Sequence, residues 1–231
     1  GCNVAIGRCA GYCVSGSGGT GLGNVYLGNA AGRYHNTNNS VFIGHYTMSQ
    51  TASSSGGTDS VLIGARAGQC VKSGNYNVLI GCGAGKETCS GNSNTFLGHG
   101  AGQYIKTGST NTFLGSYAGK GASASSASYN TAIGASAACS LTSGTYNVAI
   151  GCAAGKAITS GTDNVSIGAG SGVNRSTSSH NILIGKNAGS GNSTPSNNTG
   201  DKNVFIGQYA GQTVTTSSCS IIIGAYAGAN R

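Results

Sequence analysis

The chain has 231 residues, 43 of them glycine, with only 7% charged residues and a net charge of +8. Four acids in all leave little from which to build a hydrolase, and no apolar run approaches the roughly 18 residues needed to cross a membrane. The glycines fall at regular intervals, which excludes a flexible linker.

One motif, Asn-Val-x-Ile-Gly-x-x-Ala-Gly, recurs from end to end. With its first glycine as position zero, the anchors in chain order are Gly7, Gly28, Gly44, Gly64, Gly81, Gly98, Gly115, Gly134, Gly151, Gly168, Gly185, Gly207 and Gly224. The commonest spacing, as from Gly64 to Gly81, is about 17 residues, and so short a fixed period marks a stack of like rungs. That periodicity predicts an all-β fold, a β-solenoid (parallel β-helix or β-roll) of about 13 rungs, as a single domain over residues 1–231. At about 4.8 Å per rung, the stack is roughly 60 Å long.

Each copy predicts one strand just before its anchor. Position −1 is Ile or Leu in every copy, and −3 is Val, Ile or Thr, a β-branched stripe suited to one face of a sheet. Position −4 is Asn, or Ser at Ser40, Ser60 and Ser220. It suits either an amide ladder along the stack or the turn before each strand. Position +3 is Ala except at Thr47 and Ser171, which implies a thin interior. Position +4 is Gly except at Met48 and Ala138, which implies a second corner with positive φ or close backbone approach.

With −3 and −1 on one face, alternation predicts polar side chains at −2. That column instead holds Tyr26, Phe42, Leu62, Leu79, Phe96, Phe113, Leu183, Phe205 and Ile222. Two readings follow. Either each rung folds back over the column, or neighbouring chains pack on it as an association surface. The second reading predicts a self-associating lateral oligomer.

Other features are local. Cys2 and Cys219 share position −5 in the first and last copies, where end-to-end stacking of rods would let them meet. Cys9 and Cys13 are spaced to close a small loop, and Cys70 and Cys89 to bridge neighbouring loops. Nine cysteines in so uncharged a chain favour an oxidising, extracellular setting. Sequons at Asn38, Asn174, Asn192 and Asn197 are candidate glycosylation sites, whereas that at Asn164 falls in the −4 column. Pro195 lies in the longest insertion, from Ser190 to Lys202, expected to bulge from the rod.

Catalytic and metal chemistry find little support. Asp59 and Asp163 share a column but sit six rungs apart, about 29 Å, against the roughly 5–10 Å of paired-carboxylate hydrolysis. His35, His45, His99 and His180 are scattered, and the Gly16–Gly23 tract lacks the Gly-Lys-Ser/Thr ending of a phosphate loop. The expectation is no enzyme, no cofactor and no metal. Twelve cations spread along the whole stack are too dilute for nucleic acid. Tyr46, Tyr117 and Tyr209 at +2, with Lys86, Lys120 and Lys156 at +5, nonetheless form columns suited to an acidic polysaccharide.

The run Asn147-Val148-Ala149-Ile150-Gly151-Cys152-Ala153-Ala154-Gly155 resembles the N-x-V-A-I-G repeats of trimeric autotransporter adhesin heads, and the N-T-A-I-G-type repeats of phage tail fibres and related surface fibres. The resemblance covers the whole chain. It implies a β-roll and, from the adhesins, a trimer. The reading is a structural subunit of an extracellular fibre. Its rivals are an adhesin or tail-fibre shaft that binds cell-surface glycans, and an ice-binding solenoid. The last would require a regular threonine array, but threonine at −3 is confined to Thr95, Thr112 and Thr131.

Overall fold

The computed structural model describes residues 2–12, 21–34, 37–49 and 57–229. Cys13, His35 and the first part of the Gly16–Gly23 tract lie outside them, so the Cys9–Cys13 loop is not placed. The fold is a β-solenoid with one short strand in each rung. In chain order these are β1 (Val4–Ile6), β2 (Val25–Leu27), β3 (Val41–Ile43), β4 (Val61–Ile63), β5 (Val78–Ile80), β6 (Thr95–Leu97) and β7 (Thr112–Leu114). They continue with β8 (Thr131–Ile133), β9 (Val148–Ile150), β10 (Val165–Ile167), β11 (Ile182–Ile184), β12 (Val204–Ile206) and β13 (Ile221–Ile223). All thirteen join one parallel sheet in sequence order. Register is constant, so each column stacks on itself, as in Phe96 on Phe113.

Stacking continues beyond the strands. In the turn, the Gly155 N–H donates to Ser171 O of the next rung at 2.8 Å, and on the far side Thr159 N–H donates to Ser176 O at 2.8 Å. A rung therefore completes its backbone hydrogen bonds mainly with its two neighbours, as a solenoid requires.

The −4 column is the amide ladder. The backbone N–H and Nδ2 of Asn94 both donate to Asn77 Oδ1, at 3.0 and 3.2 Å, while the same Nδ2 reaches Gly108 O at 3.0 Å. Asn111 and Asn130 repeat the pattern. Serine can stand in because its hydroxyl also accepts from the next rung: Ser60 N–H donates to Ser40 Oγ at 3.2 Å. Each buried amide thus ties the start of one strand to the loop side of the next rung.

The anchor glycine is required at its corner. Gly98 has φ +138°, and a Cβ there would lie 2.5 Å from the carbonyl oxygen of Gly115 beneath it. At +4 the obstacle differs, since a Cβ on Gly102 would overlap the Phe96 ring. Ala138 is tolerated at +4 in a rung where position −2 is Ala132.

The interior inverts the expected faces. Phe42, Leu62, Leu79, Phe96, Phe113, Leu183 and Phe205 are shut inside the rung, Tyr26 nearly so, and Ile222 is half-buried in the last rung. Each rung folds back over this column, so that from Phe42 to Phe205 its large side chains leave no surface for a second chain to pack against. Phe96 and Phe113 stack face to face, 4.9 Å apart and 6° from parallel.

Opposite them runs a column not singled out in the sequence, at +7: Val71, Thr88, Ile105, Leu141, Ile158 and Arg175. In the three inner rungs where −2 is small, at Ala132, Ala149 and Ser166, position +7 is large: Leu141, Ile158 and Arg175. A Cβ on Gly155 would meet Ile158 Cδ1 at 2.6 Å, so Ile158 fills the space that a phenyl ring takes elsewhere. In these three rungs the bulk missing at −2 is supplied at +7, which keeps the interior closely packed.

Arg175 is the exception in kind. It is 3% exposed, and its Nε, Nη1 and Nη2 donate to the carbonyls of Gly189, Gly200 and Val214 at 2.7, 3.2 and 2.6 Å. Burial pushes its pKa down to about 10, offset in part by Asp201. The apolar core divides here, with one cluster running from Tyr26 to Ile158 and a second formed by Leu183, Ala188, Phe205 and Ala210.

The insertion after Gly189 is a compact loop with a short 3-10 turn at Pro195–Asn197. Buried Asn198 organises it, its Nδ2 donating to Asn174 O at 2.8 Å and its Oδ1 accepting from Asn192 N–H at 3.1 Å. No helix among the described residues is long and apolar enough to cross a membrane.

Candidate functional site

With −2 turned inward, −3 and −1 must point outward. Every side chain of both columns is partly or fully exposed, from Val4 and Ile6 to Ile221 and Ile223. Leu97 and Leu114, in mid-stack, are 42% exposed. Thr95, Thr112 and Thr131 are the polar members, and no charged side chain occurs in either column. The three threonines stand on adjacent strands but are paired along their strands with Leu97, Leu114 and Ile133, so no two-column threonine array forms.

This face is flat, apolar and long. Thirteen strands at about 4.8 Å and a width of about 12 Å give roughly 700 Å² of projected area, close to the roughly 800 Å² that each partner contributes to a standard interface. Parallel sheets are ordinarily covered on both sides, and apolar patches of this size mark interaction sites. Its borders are more polar. Along one edge runs −5, with Tyr76, Tyr129, Tyr146, Asp163 and His180; along the other runs +1, with Arg8, His45, His99 and Lys186. The Tyr129 and Tyr146 rings stack 5.0 Å apart at that first edge.

The tyrosine and lysine columns occupy the corner after each strand, where position +2 takes positive φ: 54° at Tyr46, 56° at Tyr117 and 58° at Tyr209. The structure brings Tyr117 and Lys120 together, with Nζ 5.4 Å from the ring centre of Tyr117 and 5.5 Å from that of Tyr104. Tyr209 stacks on Tyr226 at 5.0 Å. Lys86 instead pairs with Glu87 at 3.3 Å, and Lys156 stands exposed. These groups form local pairs rather than one continuous ridge.

One cysteine expectation, the Cys70–Cys89 bridge, needs correction. Constant register sets +6 over +6, so Cys70 Sγ lies 3.3 Å from Glu87 Oε2, while Cys89 at +8 lies beneath Lys72, whose N–H donates to its carbonyl at 2.7 Å. Cys70 and Cys89 are therefore in different columns and form no disulfide, and among the described residues no cysteine is disulfide-bonded. Cys2 and Cys219 are exposed in the first and last rungs, and Cys9 is exposed at the first corner. Asn38, Asn192 and Asn197 are exposed and Asn174 half-buried, whereas Asn164 is buried in the ladder.

No family model, curated protein or solved structure matches this chain.

Proposed function

We propose that the protein is the rod of an extracellular fibre and associates laterally with further copies of itself through the outward −3/−1 face. The carrying observation is the apolar outer surface of the thirteen-stranded sheet, with no charged side chain in its two columns. A second copy suits this surface because both present columns with the same strand repeat, so the ridges of one fit the grooves of the other along the length. A trimer, as the adhesin resemblance implies, would bring three such faces together around one axis. The role is mechanical and needs no catalysis: a stiff body with ladders of hydrogen bonds from rung to rung.

The test is a triple charge substitution, Ile133→Lys, Ile150→Lys and Ile167→Lys, on consecutive strands. Each isoleucine is already half-covered, so its loss is worth about 1 kcal/mol, and three weaken association by roughly 3 kcal/mol, at least about 100-fold. Sedimentation should show the parent above, and the variant at, the 22.5 kDa of one chain, with unchanged circular dichroism. A parent that sediments as single chains, or a folded variant that still associates, defeats the proposal.

A further inference from the structure

The corner of the first three rungs contains a cleft of about 230 Å³ whose lining includes Arg8, Asn29, Arg33, His45 and Tyr46. Its shape follows from the repeat. Arg8, Asn29 and His45 stand at +1 in successive rungs and build one wall, while Arg33, at +5 of the middle rung, builds the other. Position +2 between them is small in the first two rungs, Cys9 and Ala30, and leaves a floor. In the third rung +2 is Tyr46, which closes the end, its ring edge-on to His45 with centres 4.3 Å apart.

Charge in the cleft is of one sign. The first acidic residue of the chain is Asp59, so nothing before it in the sequence offers a carboxylate to neutralise Arg8 or Arg33. Asp59 itself lies at −5, across the strand, where its Oδ1 accepts from Asn39 Nδ2 at 3.2 Å. Arg33 is held in place by Tyr34, whose ring centre lies 4.4 Å from its Cζ, and its Nε is shut off from solvent with no hydrogen-bond partner among the described residues. Two guanidinium groups lining one cleft with no carboxylate beside them favour an oxyanion, the acceptor that guanidinium best fits.

We infer that this cleft binds the anionic group of one acidic sugar, a carboxylate or a sulfate, between Arg33 and Arg8. Its volume suits a single sugar ring. Asn29 and His45 supply hydrogen bonds to hydroxyls, and the Tyr46 ring gives the apolar face of the sugar a surface to rest on. The site lies at the corner, off the −3/−1 face, so it does not depend on the lateral contact proposed above.

Calorimetric titration of the whole chain at low salt tests it with three probes: glucuronic acid, glucosamine 6-sulfate and inorganic sulfate, with glucose as the neutral control. The two acidic sugars should bind with millimolar affinity, and more salt should weaken them. Inorganic sulfate separates the sources: weaker binding than the sulfated sugar assigns part of the affinity to the ring. Arg33→Gln should weaken all anions by about tenfold or more, while Lys106→Gln, an exposed lysine on a distant rung, leaves them unchanged. Arg33 is at the surface, and circular dichroism confirms that the variant folds. Absence of binding by both acidic sugars to about 10 mM overturns the inference, as does equal binding of glucose or an Arg33→Gln variant that binds like the parent.

Discussion

Removing Arg175 tests whether its guanidinium holds the solenoid together where the core divides. In Arg175→Ala the carbonyls of Gly189 and Val214 lose their side-chain donor, whereas Gly200 O keeps a second donor, Asn181 Nδ2, at 3.2 Å. Leaving the buried Gly189 carbonyl unsatisfied costs about 1–3 kcal/mol and the half-buried Val214 carbonyl less, so the expected loss is about 1–4 kcal/mol before any cavity is counted. Part of this is returned, because the desolvated cation is no longer buried. Arg175→Leu separates the contributions: it refills the space as Leu141 does two rungs earlier, yet donates nothing. It should recover about 2 kcal/mol relative to alanine and still fall short of the parent. Urea unfolding gives the overall loss. Hydrogen exchange locates it, since the amides of Gly189 and Gly191 should exchange faster while that of Gly85, several rungs away, stays protected. Alanine and leucine variants both within about 0.5 kcal/mol of the parent would refute the bridging role.

Two further perturbations distinguish the inner and outer faces and test the ladder. Phe113→Ala should cost about 3–5 kcal/mol in urea unfolding, while the neighbouring outward Leu114→Thr, measured on dissociated chains, should cost under about 1 kcal/mol. Equal losses would contradict the assignment of faces. Asn111→Ala removes the acceptor for Asn130 and the donors to Asn94 Oδ1 and Ala127 O, and should destabilise by about 2–4 kcal/mol. Asn111→Ser should recover part of this, as Ser40 and Ser60 do in their own rungs, and urea unfolding of the pair checks the difference.

The rung, its strand and its two glycine corners were legible because each is a column filled by one residue type. The direction of the strand was not. Alternation identifies which residues share a face, but both faces here are largely apolar, so Leu79 and its neighbours Val78 and Ile80 carry no sign that says which side is inside. The decisive clue was Gly102, a glycine placed to clear a ring, which makes −2 the inward column. The +7 column escaped notice because it is sparse and irregular, holding Thr88 and Arg175 among aliphatic side chains in the segment where repeat lengths vary. Tyrosine at +2 suggested ligand contact. Its alternation with Gly83, Gly100 and Asn187 in the same column signalled left-handed corners instead. The cleft beside Arg33 was beyond reach, since it depends on which side chains of three successive corners are small.

The balance between −2 and +7 has a consequence for how such a chain changes length. Ala132 and Leu141 lie in one repeat, as do Ala149 and Ile158. Both halves of a filled layer are therefore inherited together whenever a whole repeat is duplicated or lost. A recombination breakpoint between them would join the small residue of one copy to a small residue of another, such as Ala132 to the position of Thr88, and leave a void. Lengthening by whole repeats preserves the interior, and breakpoints that fall in the loop after +7 are the ones a folded descendant can tolerate.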